Sequence, residues 1–360
     1  MQLSLRSTIW KVLVPVAIGA GVSLWLFRSE FRPGILTDIN FDTRAIAGIL
    51  LALLFVVGRD FGLTWRFHTI AHPDLSWRRS LRVDLMCAFT SAITPSAVGG
   101  SALAIFFLNR EGLNVGRATT LTLTTLFLDE LFFVVFCPVI LLLLPMADLF
   151  GASAHDAAFM KGVQITFWIV YGGIVVWTAI LFTGIILRPS WVKNAMLRLF
   201  SLPFLRRWRP SIEQAMCNME ATSQWVKQCS MRWWLQVFFA TVVSWFSRYL
   251  IVNALFWGFV PGVSMLLVFA RQFVVWVVLM VSPTPGGSGV SEWMFTEYYG
   301  DLIGLPALAL TIALVWRLIT YYIYLVIGCV LVPGYLTGNK NNRDGSDDED
   351  NQSTTVKNQS

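Results

Sequence analysis

The sequence predicts an all-α polytopic membrane protein with about six full spans and two re-entrant helical hairpins in an inverted-repeat arrangement. Three observations predict it. Charged residues make up 13 % of the 360 residues and apolar types 56 %, and a soluble chain carries about twice that share of charge. The apolar residues, at a mean hydropathy of +0.64, gather into runs of membrane-crossing length. Two of the runs are broken by stretches rich in Pro and Gly, which remove a backbone donor and disfavour helix.

A crossing needs roughly 20 apolar residues. Runs that meet or approach this length occupy 10–27, 45–57, 118–144, 163–187, 233–259 and 305–332, the second being short. The first has a basic start (Arg6, Lys11) and no small-residue cleavage site, so it reads as a retained span rather than a removed leader. The broken runs are 81–108, interrupted at Thr94-Pro95-Ser96-Ala97-Val98-Gly99-Gly100-Ser101, and 263–299, interrupted at Ser282-Pro283-Thr284-Pro285-Gly286-Gly287-Ser288-Gly289.

Basic loops mark the cytoplasmic side. Segment 58–80 carries Arg59, Arg66, Arg78 and Arg79, and 188–232 carries eight basic residues against Glu213 and Glu220. Both are expected inside. The spans at 118–144 and 163–187 then force 81–108 to enter and leave on one face, as a hairpin with its tip at Pro95–Gly100. Run 263–299 forms a second hairpin entering from the opposite face, with its tip at Pro283–Gly289. A full crossing by 263–282 is the alternative, and it would put the acidic tail (Asp344 to Asp350) outside. The N-terminus is expected in the cytoplasm of a bacterium, with the chain in the inner membrane.

The breaks superpose. Pro95 precedes Asp129 by 34 residues, and Pro283 precedes Arg317 by 34. Units 81–145 and 263–332 therefore read as a repeat, although coincident kinks are the plainer alternative. Broken helices that meet at mid-membrane from inverted repeats are a transporter pattern. Free backbone groups survive at that depth only inside protein or a wet cavity. The domain is expected to span 1–336, with 188–232 lying along the cytoplasmic interface and capped by Ser211 and Gln214, and with 337–360 a disordered polar tail.

The residues also resemble a known family. Thr94-Pro95-x-x-x-Gly99-Gly100, followed by Arg110 and Gly112, resembles the first motif of the lysylphosphatidylglycerol synthase transmembrane-region family. Pro283-x-Pro285-Gly286-Gly287-x-Gly289-x-x-Glu292, then Gly300 and Arg317, resembles the second. The likeness covers roughly 5–335. It implies a stand-alone flippase-like protein that handles phospholipids or lipid-linked sugars, without the fused aminoacyl-transferase domain of the best-known relatives. Members often carry Asp-Arg where this chain has Asp129-Glu130.

An ionised group at the bilayer centre costs about 2.5–3.5 kcal/mol on insertion scales. The apolar runs nevertheless hold or adjoin Asp129, Glu130, Arg248, Arg271, Glu292, Glu297 and Arg317. The expected substrate-binding set is Arg248, Arg271 and Arg317 for a lipid phosphate, with Asp129, Glu130 and Glu292 for an amine or a coupling proton. Glu292 fits a helix cap better than a ligand. The plainer alternative pairs Asp129 and Glu130 with Arg317 or Arg248 to lock the bundle.

The function expected is transbilayer movement of an anionic phospholipid or a polyprenyl-phosphate-linked sugar, not catalysis. A lipid-modifying enzyme, or a non-transporting partner of a separate synthase or glycosyltransferase, is the alternative. No cofactor or metal is expected, since three histidines and five unpaired-looking cysteines build no site. The basic residues sit beside apolar runs, which argues for membrane lipid rather than nucleic acid as partner; self-association is left open.

Overall fold

The computed structural model describes residues 42–94, 98–150, 157–201, 209–282, 284, 286–287 and 289–337. Expectations on residues 10–27, Pro95, Pro283, Pro285 and the tail from 338 lie outside them. The described chain is helical: α1 (Thr43–Ala71), α2 (Trp77–Ile93), α3 (Val98–Arg110), α4 (Val115–Leu143), the short α5 (Met146–Phe150), α6 (Ala157–Phe182), α7 (Pro189–Leu199), α8 (Arg209–Gln228), α9 (Met231–Phe259), α10 (Met265–Leu279), α11 (Val290–Ile303), α12 (Pro306–Arg317) and α13 (Ile323–Thr337). Single π-helical turns, Thr183–Leu187 and Leu318–Tyr322, extend α6 and join α12 to α13. Five of these stretches are long and apolar enough to cross a membrane.

One expectation is corrected at once. The span read as 45–57 continues to Ala71, so the basic loop 58–80 shrinks to a turn at 72–76. Arg59 and Arg66 end a hydropathy run, yet both are buried inside α1, held by partners described below. Asp42 caps this helix by accepting from the Ala45 amide at 2.8 Å.

Helix α1 packs along α9, and three glycines set the approach. A Cβ at Gly48 would meet the Ala254 carbonyl oxygen and the Gly258 Cα at 2.8 Å; one at Gly58 would meet Ser247 Oγ at 2.8 Å; one at Gly62 would meet the Ser244 amide nitrogen at 2.7 Å. The pairing 48–258, 58–247, 62–244 runs in opposite senses, so the two helices are antiparallel. Small residues allow this backbone proximity where lipid supplies no hydrophobic drive.

The two broken runs form two helical hairpins. In the first, α2 and α3 lie side by side, and Arg79 and Arg82 near the start of α2 reach Glu111 just past α3 at 3.8 and 3.2 Å. In the second, Arg271 early in α10 reaches Asp301 late in α11. The helices have 17, 13, 15 and 14 residues, so each is about 20–26 Å long, against about 43 Å for the 29-residue α1, α4 and α9.

The hairpins open at opposite ends of the bundle. The open end of the first lies beside the start of α4, where Arg117 pairs with Asp74 at 2.6 Å. Helix α8 covers the same end, with Thr120 Oγ1 donating to the Met219 carbonyl at 3.3 Å. The open end of the second lies beside α5, where Arg271 donates to the Asp148 carbonyl and the Tyr298 hydroxyl to that of Leu149. The tips meet between: the Gly286 amide donates to the Thr94 carbonyl at 3.2 Å, and the Tyr321 hydroxyl to the Ala92 carbonyl at 3.1 Å.

The described residues of segment 188–232 include α7 and α8, and the apolar stripe of α8 buries Met216, Met219 and Val226 in the protein. Ser211 sits inside the first turn of α8 and is not its cap, because the helix begins at Arg209. Of the cysteines with described side chains, Cys87, Cys137, Cys217 and Cys229 are free thiols, Cys137 buried and Cys217 exposed.

Candidate functional site

The charges of the long helices converge on one polar cluster. On α1, Arg59 pairs with Asp60 at 2.7 Å, and the Tyr324 hydroxyl from α13 donates to both Asp60 oxygens at 2.8 and 2.7 Å. The Arg59 guanidinium lies 4.1 Å over the Tyr324 ring. Two turns further on, Arg66 pairs with Asp129 of α4 at 2.6 Å and donates to Thr241 of α9 at 3.4 Å. Trp245 Nε1 donates to the same Asp129 oxygen at 2.8 Å. Two charge-assisted bonds thus hold one carboxylate oxygen, while 26 % of the Asp129 side chain stays exposed, so the cluster is accessible from that side.

Three acceptors and donors in this cluster are left over. Arg248, midway along α9, lies 4.6 Å over the Trp245 ring and 4.7 Å over the Trp276 ring. It is in the electrostatic field of Arg59 and Asp129, yet among the described residues no carboxylate lies within ion-pair distance of it, and its Nε is buried without a hydrogen-bond partner. Asp84 on α2 is buried in the field of Asp60, Arg59, Arg66 and Arg248, with Oδ2 unpartnered. Glu130 on α4 likewise has a buried Oε2 without a partner. Indole faces attract a cation, but they do not satisfy its N–H groups, and a buried unsatisfied polar group costs about 1–3 kcal/mol.

A second constellation sits at the meeting of the tips. Arg317, the last residue of α12, pairs with Glu292 at 2.9 Å and donates to the Gly286 carbonyl at 3.1 Å. The other Glu292 oxygen accepts from the Gly289 amide and the Ser291 hydroxyl, both at 2.8 Å. Glu292 therefore caps α11, as its place in sequence predicts, and ties the cap to α12. The π turn begins at the next residue, and single π turns within helices recur at functional sites. It carries Tyr321, whose ring lies 4.1 Å under the Arg317 guanidinium and whose hydroxyl holds the first hairpin. The left-handed conformations of Gly286, Gly287 and Gly289, at φ +56°, +71° and +79°, make this turn accessible to glycine.

The remaining predicted site residues fall elsewhere. Arg271 is fully engaged, with Asp301 at 2.6 and 2.8 Å and the carbonyls of Asp148 and Tyr298; it ties the open end of the second hairpin to α5 and stands apart from the cluster. Glu297 is exposed. Asp129 is paired, but with Arg66 rather than with Arg317 or Arg248. Gly99 and Gly100 open α3. Sequence reasoning passed over Asp60 and Asp84, and used Arg59 and Arg66 only as loop charges. One signal was available: Arg59, Asp60 and Arg66 lie within the 29 residues that one helix covers.

The sequence pattern of the lysylphosphatidylglycerol synthase TM region matches residues 12–328. The chain belongs to that family. It is also 24 % identical over 332 residues to the UPF0104 membrane protein of Archaeoglobus fulgidus, a match covering 89 % of this chain and 94 % of that one. No solved structure matches the chain. As a family member with five long apolar helices, this is an integral membrane protein, and the cluster is built from side chains of α1, α2, α4, α9 and α13.

Proposed function

We propose that the protein moves the headgroup of an anionic phospholipid, or of a polyprenyl-phosphate-linked sugar, across the bacterial cytoplasmic membrane. The observation that carries the reading is Arg248: a guanidinium midway along a 29-residue apolar helix, clasped by two indoles and without a carboxylate partner. An ionisable group at that depth is expensive and marks a substrate or ion path. A lipid phosphate would supply the charge and acceptors that Arg248 lacks. Asp84 and Glu130 are placed to take an amine or a proton.

The architecture supports the same reading. Helices of about 20–26 Å do not cross a hydrocarbon core of about 30 Å, so the two hairpins are re-entrant and their tips meet near mid-membrane. Each follows one of a pair of antiparallel helices, α1 and α9, so the repeat extends one helix before each hairpin, and the units are inverted. The basic end that carries Arg78, Arg79, Arg188 and Arg198 faces the cytoplasm by the positive-inside rule. With 10–27 as a further span, the N-terminus lies on that side. An open groove of about 710 Å³, lined by Arg232 and Gln236 at one end and by Phe136, Phe238 and Phe239 along its length, gives acyl chains a lateral surface beside the cluster.

The test uses Arg248→Gln in liposomes containing a fluorescent phosphatidylglycerol and a membrane-impermeant quencher. Lipid exposure is expected to fall about tenfold or more, with thermal stability unchanged, because the substitution orphans no carboxylate. Normal exposure by this variant refutes the assignment.

A further inference from the structure

The basic end of the bundle holds a second feature, remote from the central cluster. Between the end of α6, the start of α7 and the outer face of α8 lies a cleft of about 460 Å³, with Arg188, Ser190, Ser223, Gln224 and Lys227 in its wall. That volume is within the range of small-molecule sites. Helix α7 opens into it at Pro189 with no side-chain cap, since Arg188 at the N-cap makes no capping hydrogen bond. Pro189 carries no N–H and the Trp191 amide donates to the Arg188 carbonyl at 3.0 Å, so of the first three residues Ser190 is the one with an amide to offer, at the positive end of the helix dipole.

Ser223 is the second and independent sign of a ligand. It is 1 % exposed, lines the cleft, and its Oγ has no hydrogen-bond partner. Serine hydroxyls in helices commonly donate to the carbonyl one turn back, as Thr222 beside it does to Asn218 at 2.8 Å. Ser223 does not, so its hydroxyl is left to whatever occupies the cleft. The one acidic group in the wall, Glu220, is already held by Lys193 at 3.0 Å, and that hydrogen bond in turn raises the Lys193 ammonium above its ordinary range. Among the described residues Arg188 and Lys227 have no ion-pair partner, and with them remain an uncapped helix start and a buried hydroxyl.

We propose that this cleft binds a phosphate-bearing anion at the cytoplasmic interface, through Arg188, Lys227, Ser223 Oγ and the Ser190 amide at the start of α7. The chemistry is shared by a phospholipid headgroup and by free phosphate. Exposed Leu187 and partly buried Ile186 border the cleft and give a lipid's acyl chains a surface that inorganic phosphate does not use. The site is independent of the translocation path.

Two probes separate the sources. Full-length protein in detergent is titrated with inorganic phosphate by calorimetry, and with phosphatidylglycerol by native mass spectrometry. Wild type is expected to bind at least one probe at this site: lipid alone marks a headgroup site, phosphate alone a free-anion site. Arg188→Gln with Lys227→Gln should weaken that binding about tenfold or more. Ser223→Ala should weaken it about three- to tenfold with an unchanged or higher melting temperature, because no intramolecular hydrogen bond is lost; a structural serine would show the opposite pattern. Arg248→Gln should leave this binding intact, so the failure of one reading is distinguishable from the failure of the other. Wild type binding neither probe, or both cleft variants binding as wild type does, overturns the proposal.

Discussion

Gly286→Ala and Gly287→Ala form a matched pair that tests whether the hairpin tips depend on each other. Both glycines have positive φ, +56° and +71°, so each substitution places an L-residue in the left-handed region at about 1–2 kcal/mol. Their surroundings differ. A Cβ at Gly287 meets only Ser291, at 3.9 Å, whereas one at Gly286 falls within the Tyr321 ring and 2.9 Å from the Ala92 carbonyl oxygen. Gly286→Ala must therefore also move Tyr321, at about 1–3 kcal/mol for overpacking, and loosen the amide bond to Thr94, at about 1 kcal/mol. The expected losses are about 3–6 kcal/mol for Gly286→Ala and about 1–2 kcal/mol for Gly287→Ala. Reversible unfolding in mixed micelles, followed by tryptophan fluorescence, gives both. Gly112→Ala, at φ +109° with nothing within 4 Å, reports the backbone cost alone. Equal losses for 286 and 287 would refute the direct packing of one tip on the other.

Other substitutions test single contacts. Arg66→Met should destabilise by about 2–4 kcal/mol, below the full cost of breaking a buried pair because Asp129 is partly exposed; adding Asp129→Leu should recover most of the loss, measured in the same unfolding assay. Arg271→Met should cost about 3–5 kcal/mol by leaving Asp301 without its bidentate partner, while lipid exposure per folded molecule in liposomes stays at the wild-type rate. Tyr324→Phe removes both hydrogen bonds to Asp60 and should cost about 1–3 kcal/mol by thermal unfolding.

Much of the fold was legible because the bilayer imposes strong constraints on sequence. Clustered proline and glycine disfavour helix, so the breaks at Thr94–Ser101 and Ser282–Gly289 located both hairpins. The open end of the first hairpin lies beside α8, although two of the charges read as loop residues, Arg59 and Arg66, belong to α1. Glu292 was legible as a cap because capping acts over three residues. The central cluster was harder to see. A hydropathy window ends a span at Arg59-Asp60 and again at Arg66, whereas the helix continues because each charge finds a partner. Those partners come from far along the chain: Asp129 is 63 residues from Arg66, and Tyr324 is 264 residues from Asp60. No local pattern carries that information. Arg271 was taken for a ligand for the same reason, since Asp301 and the Asp148 carbonyl become its neighbours only after the second hairpin folds against α5.

Purified wild-type protein, reconstituted into phosphatidylcholine liposomes with fluorescent phosphatidylglycerol, tests the central claim most directly when quenching and lipid mass spectrometry are read on the same sample. Translocation predicts that the quenchable fraction rises from the outer-leaflet share towards the whole, in proportion to protein, with every lipid recovered chemically unchanged. Quenching that stays at the outer-leaflet share, or a headgroup altered in mass, would contradict it.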